Sequence, residues 1–330
     1  MEPFVIASGR VDATRAVEVE ARVTWRGTSA VGLGEAACLP PVTKEDQGDV
    51  LHELERNAVV DAGALSGLAP VTRAAVETAI LDAMGRIEGV PVRSLLGAGS
   101  VDALETDVTV AIADPTKMAE LARAWVKRGF RALKVKVGKD VDADARALGA
   151  IGRAAPEAAL RVDANAGYTA AEAIALARAC GRMGLRVECW EQPCAADDLD
   201  GMAEVAEALE APVIADESVK TIDDVRVLVL RRYADGVNLK LAKSGGLLAC
   251  LEIGIAARAA GLRIMVGGMV ETRLGMTAAA HLACALGGVD FVDLDTAWLL
   301  AEDPYEGGYV ADGPRYRLPD VPGLGVRRRP

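Results

Sequence analysis

Histidine and aromatic residues are scarce in this chain, and long hydrophobic runs are missing. Only His52 and His281 occur, both in helix-like surroundings, which argues against chemistry built on a histidine base. Aromatics make up 4% of residues against 51% hydrophobic, so Ala, Val and Leu must build the interior. That composition suits alanine-rich helices covering a Val/Ile/Leu sheet. No CxxC pair exists: Cys38, Cys180, Cys189, Cys194, Cys250 and Cys284 are scattered and read as reduced thiols of a cytoplasmic enzyme. Basic charge is in deficit, with a net charge of −11, which argues against nucleic acid or an anionic membrane surface as partner. The longest uncharged stretch, Leu274 to Val289, is short for a membrane span and reads as a core helix. Residues 1–15 mix acidic and basic groups without a long apolar core, so no signal peptide is expected.

What the chain does have is a repeated unit. Beyond residue 100, a short apolar strand followed by an Ala-rich helix recurs roughly every 25 residues. The strand candidates are TDVTVAI (106–112), ALKVKV (132–137), ALRVDAN (159–165), LRVECWE (185–191), APVIADE (211–217), DGVNLKL (235–241), LRIMVGG (262–268) and VDFVDLD (289–295). Eight such units predict an α/β fold of the (β/α)8 TIM-barrel type over residues 101–300. Residues 1–100 read differently, with the strand-like RAVEVEARVTW and SAVGLGEA and the helical VTRAAVETAILDAMGRI, and predict an N-terminal α+β capping domain. The Gly- and Pro-rich tail, 301–330, is too irregular for a ninth unit and is expected to pack back on the capping domain.

The stretch RALKVKVGKD (131–140) alternates Leu133, Val135 and Val137 with Lys134 and Lys136, the period of a β-strand. Alone, it is equally compatible with an edge strand carrying a wet lysine face. Read with the other strand ends, a second meaning emerges. Lys136, Asp163, Glu191, Asp216, Lys240, Asp293 and Asp295 all fall where barrel strands meet their following loops, the face on which barrel enzymes place their chemistry. So many charges converging on one rim are too costly to bury without a function.

Asp163, Glu191 and Asp216 end the third, fourth and fifth strands, close enough to repel unless a cation joins them. An all-oxygen donor set favours a hard divalent ion, Mg2+, one per site, with open positions left for substrate. Lys136 and Lys240 end the second and sixth strands, on opposite sides of an eight-stranded barrel. Two bases flanking a Lewis acid suit removal of a proton α to a carboxylate. A lysine acting as base must be neutral, and Lys134 beside Lys136 would favour the neutral amine.

The motifs KVK, DAN, EQP, ADES, NLKLAKSGG and GGMVETRLG together make the chain resemble the enolase superfamily, in the muconate lactonizing enzyme subgroup, over essentially its full length. The resemblance implies an enolase-like modified barrel under a capping domain. It makes Asp163, Glu191 and Asp216 metal ligands, Lys136 and Lys240 the acid/base pair, and Gly268 and Val270 substrate contacts. Asp293-Leu294-Asp295 resembles the Asp-x-Asp signature of dipeptide epimerases, where the pair binds the substrate's α-ammonium. Its bland alternative is a loop-capping Asp followed by a turn Asp. The implied function is a Mg2+-dependent dipeptide epimerase that inverts the α-carbon of the C-terminal residue through a metal-stabilised enediolate. A lyase of the o-succinylbenzoate synthase type, an N-acylamino acid racemase and a catalytically silent ligand-binding barrel are the alternatives. The partner is then a small molecule, a dipeptide, and homo-oligomer formation is compatible with these features.

The chain departs from family members acting on Ala-Glu. ASGRVDATR places Ser8 and Val11 where arginines are expected, with Arg10 nearby, and the second specificity loop, PPVTKEDQGDV, is acidic. Both features favour a hydrophobic or cationic dipeptide over Ala-Glu. Trp298 is expected to pack between barrel and cap or to wall the site, Glu217 and Glu271 to bond Lys240 or other site groups, and Lys243 to be either functional or a solvated charge. KVGKD and KSGG lack the spacing of a phosphate-binding loop.

Overall fold

The computed structural model describes residues 4–6, 9–11, 13, 15–40, 42–57, 62–97 and 101–330, with the side chains of 4–6, 9–11 and 62 outside the description. Ser8 and the side chains of Arg10 and Val11 therefore lie outside the described residues.

The barrel forms where the strand periodicity placed it. Eight parallel strands, Val108–Val110, Ala132–Lys136, Ala159–Asp163, Val187–Glu191, Val213–Ala215, Gly236–Leu239, Arg263–Gly267 and Phe291–Asp293, pair in sequence order. The ring is drawn together by a bond from Asp107 N–H to Val292 O at 3.1 Å. Alternation sorts the side chains. Leu133, Val135, Leu160 and Val162 face the helices in the main core, while Cys189, Ile214, Met265 and Phe291 form a separate cluster inside the barrel.

Seven strands are followed by full helices, the last of these being Arg273–Leu286. The eighth is not: Phe291–Asp293 leads only to the four-residue helix Thr296–Leu299. The expected eighth βα unit is thus truncated, because Pro304 and the Gly-rich tail follow at once. Instead the tail folds as short antiparallel pairs, Tyr305–Gly307 with Val326–Arg328, and Val310–Asp312 with Arg315–Arg317, which also pairs with Ala103–Glu105.

The N-terminal part is an antiparallel hairpin, Arg15–Trp25 with Thr28–Cys38, covered by the helix Pro70–Glu88. Arg26 and Gly27 both have positive φ, 49° and 81°, as a two-residue hairpin turn requires. Helix and sheet approach closely because Gly32 and Gly34 face Ala79 and Ala75; a Cβ on either glycine would lie about 2 Å from a helix carbonyl oxygen. The tail straps this unit down. Tyr305 Oη donates to Glu18 at 2.5 Å, Arg328 pairs with Glu18, and Asp82 accepts the amide of Leu324 at 2.7 Å. All six cysteines are buried free thiols, and among the described residues no helix is long and apolar enough to cross a membrane.

The core helix at Arg273–Leu286 buries His281, whose Nδ1 accepts the amide of Arg93 at 3.0 Å. Burial, with the Arg93 charge beside it, pushes the imidazole down to about 3. The unfolded chain therefore binds a proton at this residue between about pH 6.5 and 3 that the folded chain refuses, and stability must fall as pH falls through that window. Moving from pH 7 to pH 5 is expected to cost about 2 kcal/mol at this site. Urea titrations of the wild type and of His281→Asn should differ by that amount in their pH dependence, and identical slopes would contradict the assignment.

Candidate active site

The strand-end charges meet in one buried cluster at the C-terminal rim of the barrel. Strand register places them: Lys136 pairs with Asp163 and Asp163 with Glu191 across three neighbouring strands, and Gly267 with Asp293 on the far side. Lys136 Nζ lies 2.6 Å from Asp163 Oδ2, and Lys240 Nζ 2.6 Å from Asp216 Oδ2 and 3.9 Å from Glu191 Oε1. Lys134 is 1% exposed, which overturns the wet-edge reading of its strand. Its ammonium stands 2.6 Å from Asp293, 2.8 Å from Glu191 and 3.1 Å from Asp163. Burial works against that charge, but the three carboxylates outweigh it and hold Lys134 firmly protonated. Its cation thus serves several acids and does not face Lys136 alone.

Asp163 is drawn well below the usual carboxylate range: burial opposes the shift, and Lys136 and then Lys134 overcome it. Asp216 is drawn down likewise, against burial, by Lys240 and Lys243. Lys243 is not a solvated charge. It is buried, and its Nζ donates to Asp216 Oδ1 at 2.7 Å and to the Asp216 carbonyl at 2.5 Å.

The residues fit a hard divalent cation by donor chemistry, with three buried carboxylates from adjacent strands and no sulfur or imidazole among them. Glu191 Oε2 supports the fit. Lys134 hydrogen-bonds Oε1 at 3.0 Å, and although its Nζ lies near Oε2, that oxygen has no aligned donor. Among the described residues no three acidic, His or Cys side chains stand in ready metal-ligating geometry, and ammonium groups contact Asp163 Oδ2 and Asp216 Oδ2.

Asp293, ion-paired with Lys134, and Asp295 line the same cavity as Lys136 and Lys240. Asp295 Oδ2 accepts the Thr109 amide at 2.5 Å, and burial followed by the Asp293 charge lifts its carboxyl to about 6. Gly268 and Val270 line the same cavity, together with Leu39 and Val42 from the capping unit and Leu299 after the eighth strand. Trp298 does not line it. Its indole donates to Tyr316 Oη at 2.6 Å and its ring meets Phe130 edge-on, so the apolar wall from this segment is Leu299. Glu217 accepts from Asn165 at 3.4 Å, and burial then Asp216 raise it to about 7. Glu271 accepts the Met269 amide and shapes the loop bearing Gly268 and Val270.

Two site residues escaped the sequence reading. Asn238 donates to Glu191 Oε1 at 2.9 Å; its position two residues before Lys240 on one strand face was the available signal. Gln192, within EQP, accepts the Asp216 amide at 2.8 Å and the Ser218 amide at 3.1 Å, tying the fourth and fifth strand loops together. No periodicity points to that role.

A parallel barrel whose rim gathers lysines and carboxylates beneath a capping unit is the architecture of an enolase-type enzyme. Residues 117–330 match the family described as enolase C-terminal domain-like, and the chain belongs to that family. It is 38% identical over 341 residues to an L-Ala-D/L-amino acid epimerase of Populus trichocarpa, covering 97% of this chain and 80% of the plant protein. A substrate-liganded L-Ala-D/L-Glu epimerase from Bacillus subtilis superposes with a TM-score of 0.93 at 34% identity, covering 99% of this chain and 94% of that one. A dipeptide epimerase from Enterococcus faecalis V583, solved with Mg and L-Leu-L-Tyr, gives 0.90 at 32% identity, covering 98% and 95%.

Proposed function

We propose that this chain is a Mg2+-dependent dipeptide epimerase, inverting the α-carbon of the dipeptide's C-terminal residue. The observation that carries the reading is a pair of opposed lysines sharing a cavity with an acid pair: Lys136 and Lys240 come from the second and sixth strands of eight, and Asp293 and Asp295 line the same cavity. Asp163, Glu191 and Asp216 would hold the ion. When bound, it supplies positive charge to the substrate carboxylate as negative charge develops there.

The chain's own residues do the rest. One lysine, as the neutral amine, takes the α-proton as the Cα–H bond breaks and its electron pair shifts toward the carboxylate. The other lysine, as ammonium, delivers a proton to the opposite face, so the product differs only in configuration. Lys134 remains a fixed cation within the cluster and holds Asp293 and Glu191 in place. Asp293 and Asp295 receive the dipeptide's α-ammonium, and Gly268 and Val270 contribute to the wall beside it.

The cavity also speaks to the substrate's side chains. Leu39, Val42, Met269, Val270 and Leu299 supply apolar surface, and among the described residues no arginine lines it. The acids of the 40–50 loop, which suggested a cationic side chain, are engaged elsewhere. Asp46 and Asp49 form the capping box of the helix Gln47–Arg56, and Glu45 accepts the Val71 amide. Apolar side chains are therefore favoured over both Glu and Lys.

The test is a panel of L,L-dipeptides with chiral separation of the products. Apolar dipeptides are expected to give the L,D product, with kcat/KM exceeding that for L-Ala-L-Glu by roughly tenfold or more, since among the described residues no arginine lines the cavity to pair a desolvated side-chain carboxylate. N-acetylation should cost a similar factor, because charge-assisted bonds to the ammonium are worth about 1.5–3 kcal/mol. L-Ala-L-Glu as best substrate would overturn the preference. A new conjugated chromophore in the product would overturn the epimerase in favour of a lyase.

A further inference from the structure

The two lysines are anchored unequally. Lys136 lies within its strand, its backbone in register with Asp163 of the neighbouring strand. Lys240 lies beyond the last paired residue of its strand, where Leu239 matches Val266, and is the N-cap of the short helix Leu241–Ser244. Its backbone position depends on the turn that follows. That turn is held from the capping unit. Arg73, on the helix Pro70–Glu88, donates from Nη2 to Ser244 O at 2.9 Å and from Nε to Gly245 O at 2.8 Å. Ser244 N–H in turn donates to Lys240 O at 3.2 Å. One helical turn further along, the buried Glu77 accepts the Leu248 amide at 2.9 Å, at the start of the next helix.

The fit is close. Gly245 and Gly246 have φ of 86° and 121°, and a Cβ on either would lie 2.0 Å from Arg73 Nη2 or 2.4 Å from Glu77 Oε1. Ordinary residues are disfavoured there by backbone conformation, and a side chain would displace the ends of Arg73 and Glu77.

We propose that Arg73 and Glu77 are positioning residues for Lys240, clamping the turn that also carries Lys243, so that the capping helix controls proton transfer on one face of the substrate and leaves the Lys136 face to the sheet. The proposal rests on the epimerase reading. It predicts a one-sided defect, which a general loosening of the cap would not give.

The experiment is α-proton exchange in D2O, followed separately from the two epimers of one dipeptide. Lys240→Ala first identifies which epimer depends on Lys240. Arg73→Met is then expected to slow exchange from that epimer at least tenfold, and exchange from the other less than twofold. Glu77→Ala should shift the balance in the same direction. Amide hydrogen exchange over residues 240–250 should quicken in both variants, with the thermal midpoint near that of the wild type. Equal slowing of both epimers, or of neither, overturns the proposal. A wild type inactive on every dipeptide refutes the epimerase and with it the role of positioning a base. Amide exchange then still tests the clamp itself, which unchanged protection of residues 240–250 would refute.

Discussion

Asp163→Asn, Glu191→Gln and Asp216→Asn are each expected to lower kcat/KM by at least roughly a thousandfold, and EDTA should silence the wild type reversibly. Each substitution keeps the shape of a buried side chain but removes a negative oxygen donor from a site whose cation supplies several kcal/mol of charge stabilisation. At about 1.4 kcal/mol per tenfold, that loss accounts for the factor. Glu191 is the most telling of the three. Its Oε2 has no aligned donor although the residue is buried, so the amide variant places an NH2 or a weaker acceptor where the fold leaves an acceptor open. Calorimetric titration with Mg2+ should show binding to the wild type and none to Glu191→Gln. Full turnover after exhaustive chelation would contradict the account.

The lysines should divide the work by stereochemistry. Lys240→Ala is expected to block inversion while preserving isotope exchange from the epimer whose proton faces Lys136, and Lys136→Ala to do the reverse. Loss of a general base at its own face should cost about 10²–10⁴ in rate, whereas the other face keeps its ammonium–carboxylate pair, Lys136 with Asp163 or Lys240 with Asp216. Equal loss from both epimers in both variants would mean one base and an electrostatic helper.

Much of this site was legible because a barrel converts strand order into geometry. The eight strands declared themselves by alternation, and once they are closed into a ring, polar residues at their ends must share one rim. That logic put Lys136, Asp163, Glu191, Asp216, Lys240, Asp293 and Asp295 together without any knowledge of side-chain contacts, and all are found there. It failed where residues act across elements or through the backbone. The burial of Lys243 depends on the helical turn Leu241–Ser244 folding back beneath Asp216, which a loop reading cannot foresee. The acids of the 40–50 loop suggested a neutral or basic substrate side chain because composition does not distinguish a helix cap from a binding group, and Asp46 with Asp49 proved to be a cap. The full eighth helix expected from the repeat is cut to the four-residue helix Thr296–Leu299, since Pro304 and the glycines after it end the pattern. Arg73 and Glu77 gave no signal at all: their partners are carbonyl and amide groups about 170 residues away in sequence.

The most direct measurement is proton NMR and mass spectrometry of an apolar L,L-dipeptide incubated with the holoenzyme in D2O. The account predicts loss of the C-terminal residue's α-proton signal and the mass increase of one hydrogen replaced by deuterium. It also predicts a mixture of L,L and L,D products, with no change at the N-terminal α-carbon and no new ultraviolet absorption. Retention of that α-proton in every dipeptide offered, under conditions where Mg2+ is bound, would contradict it.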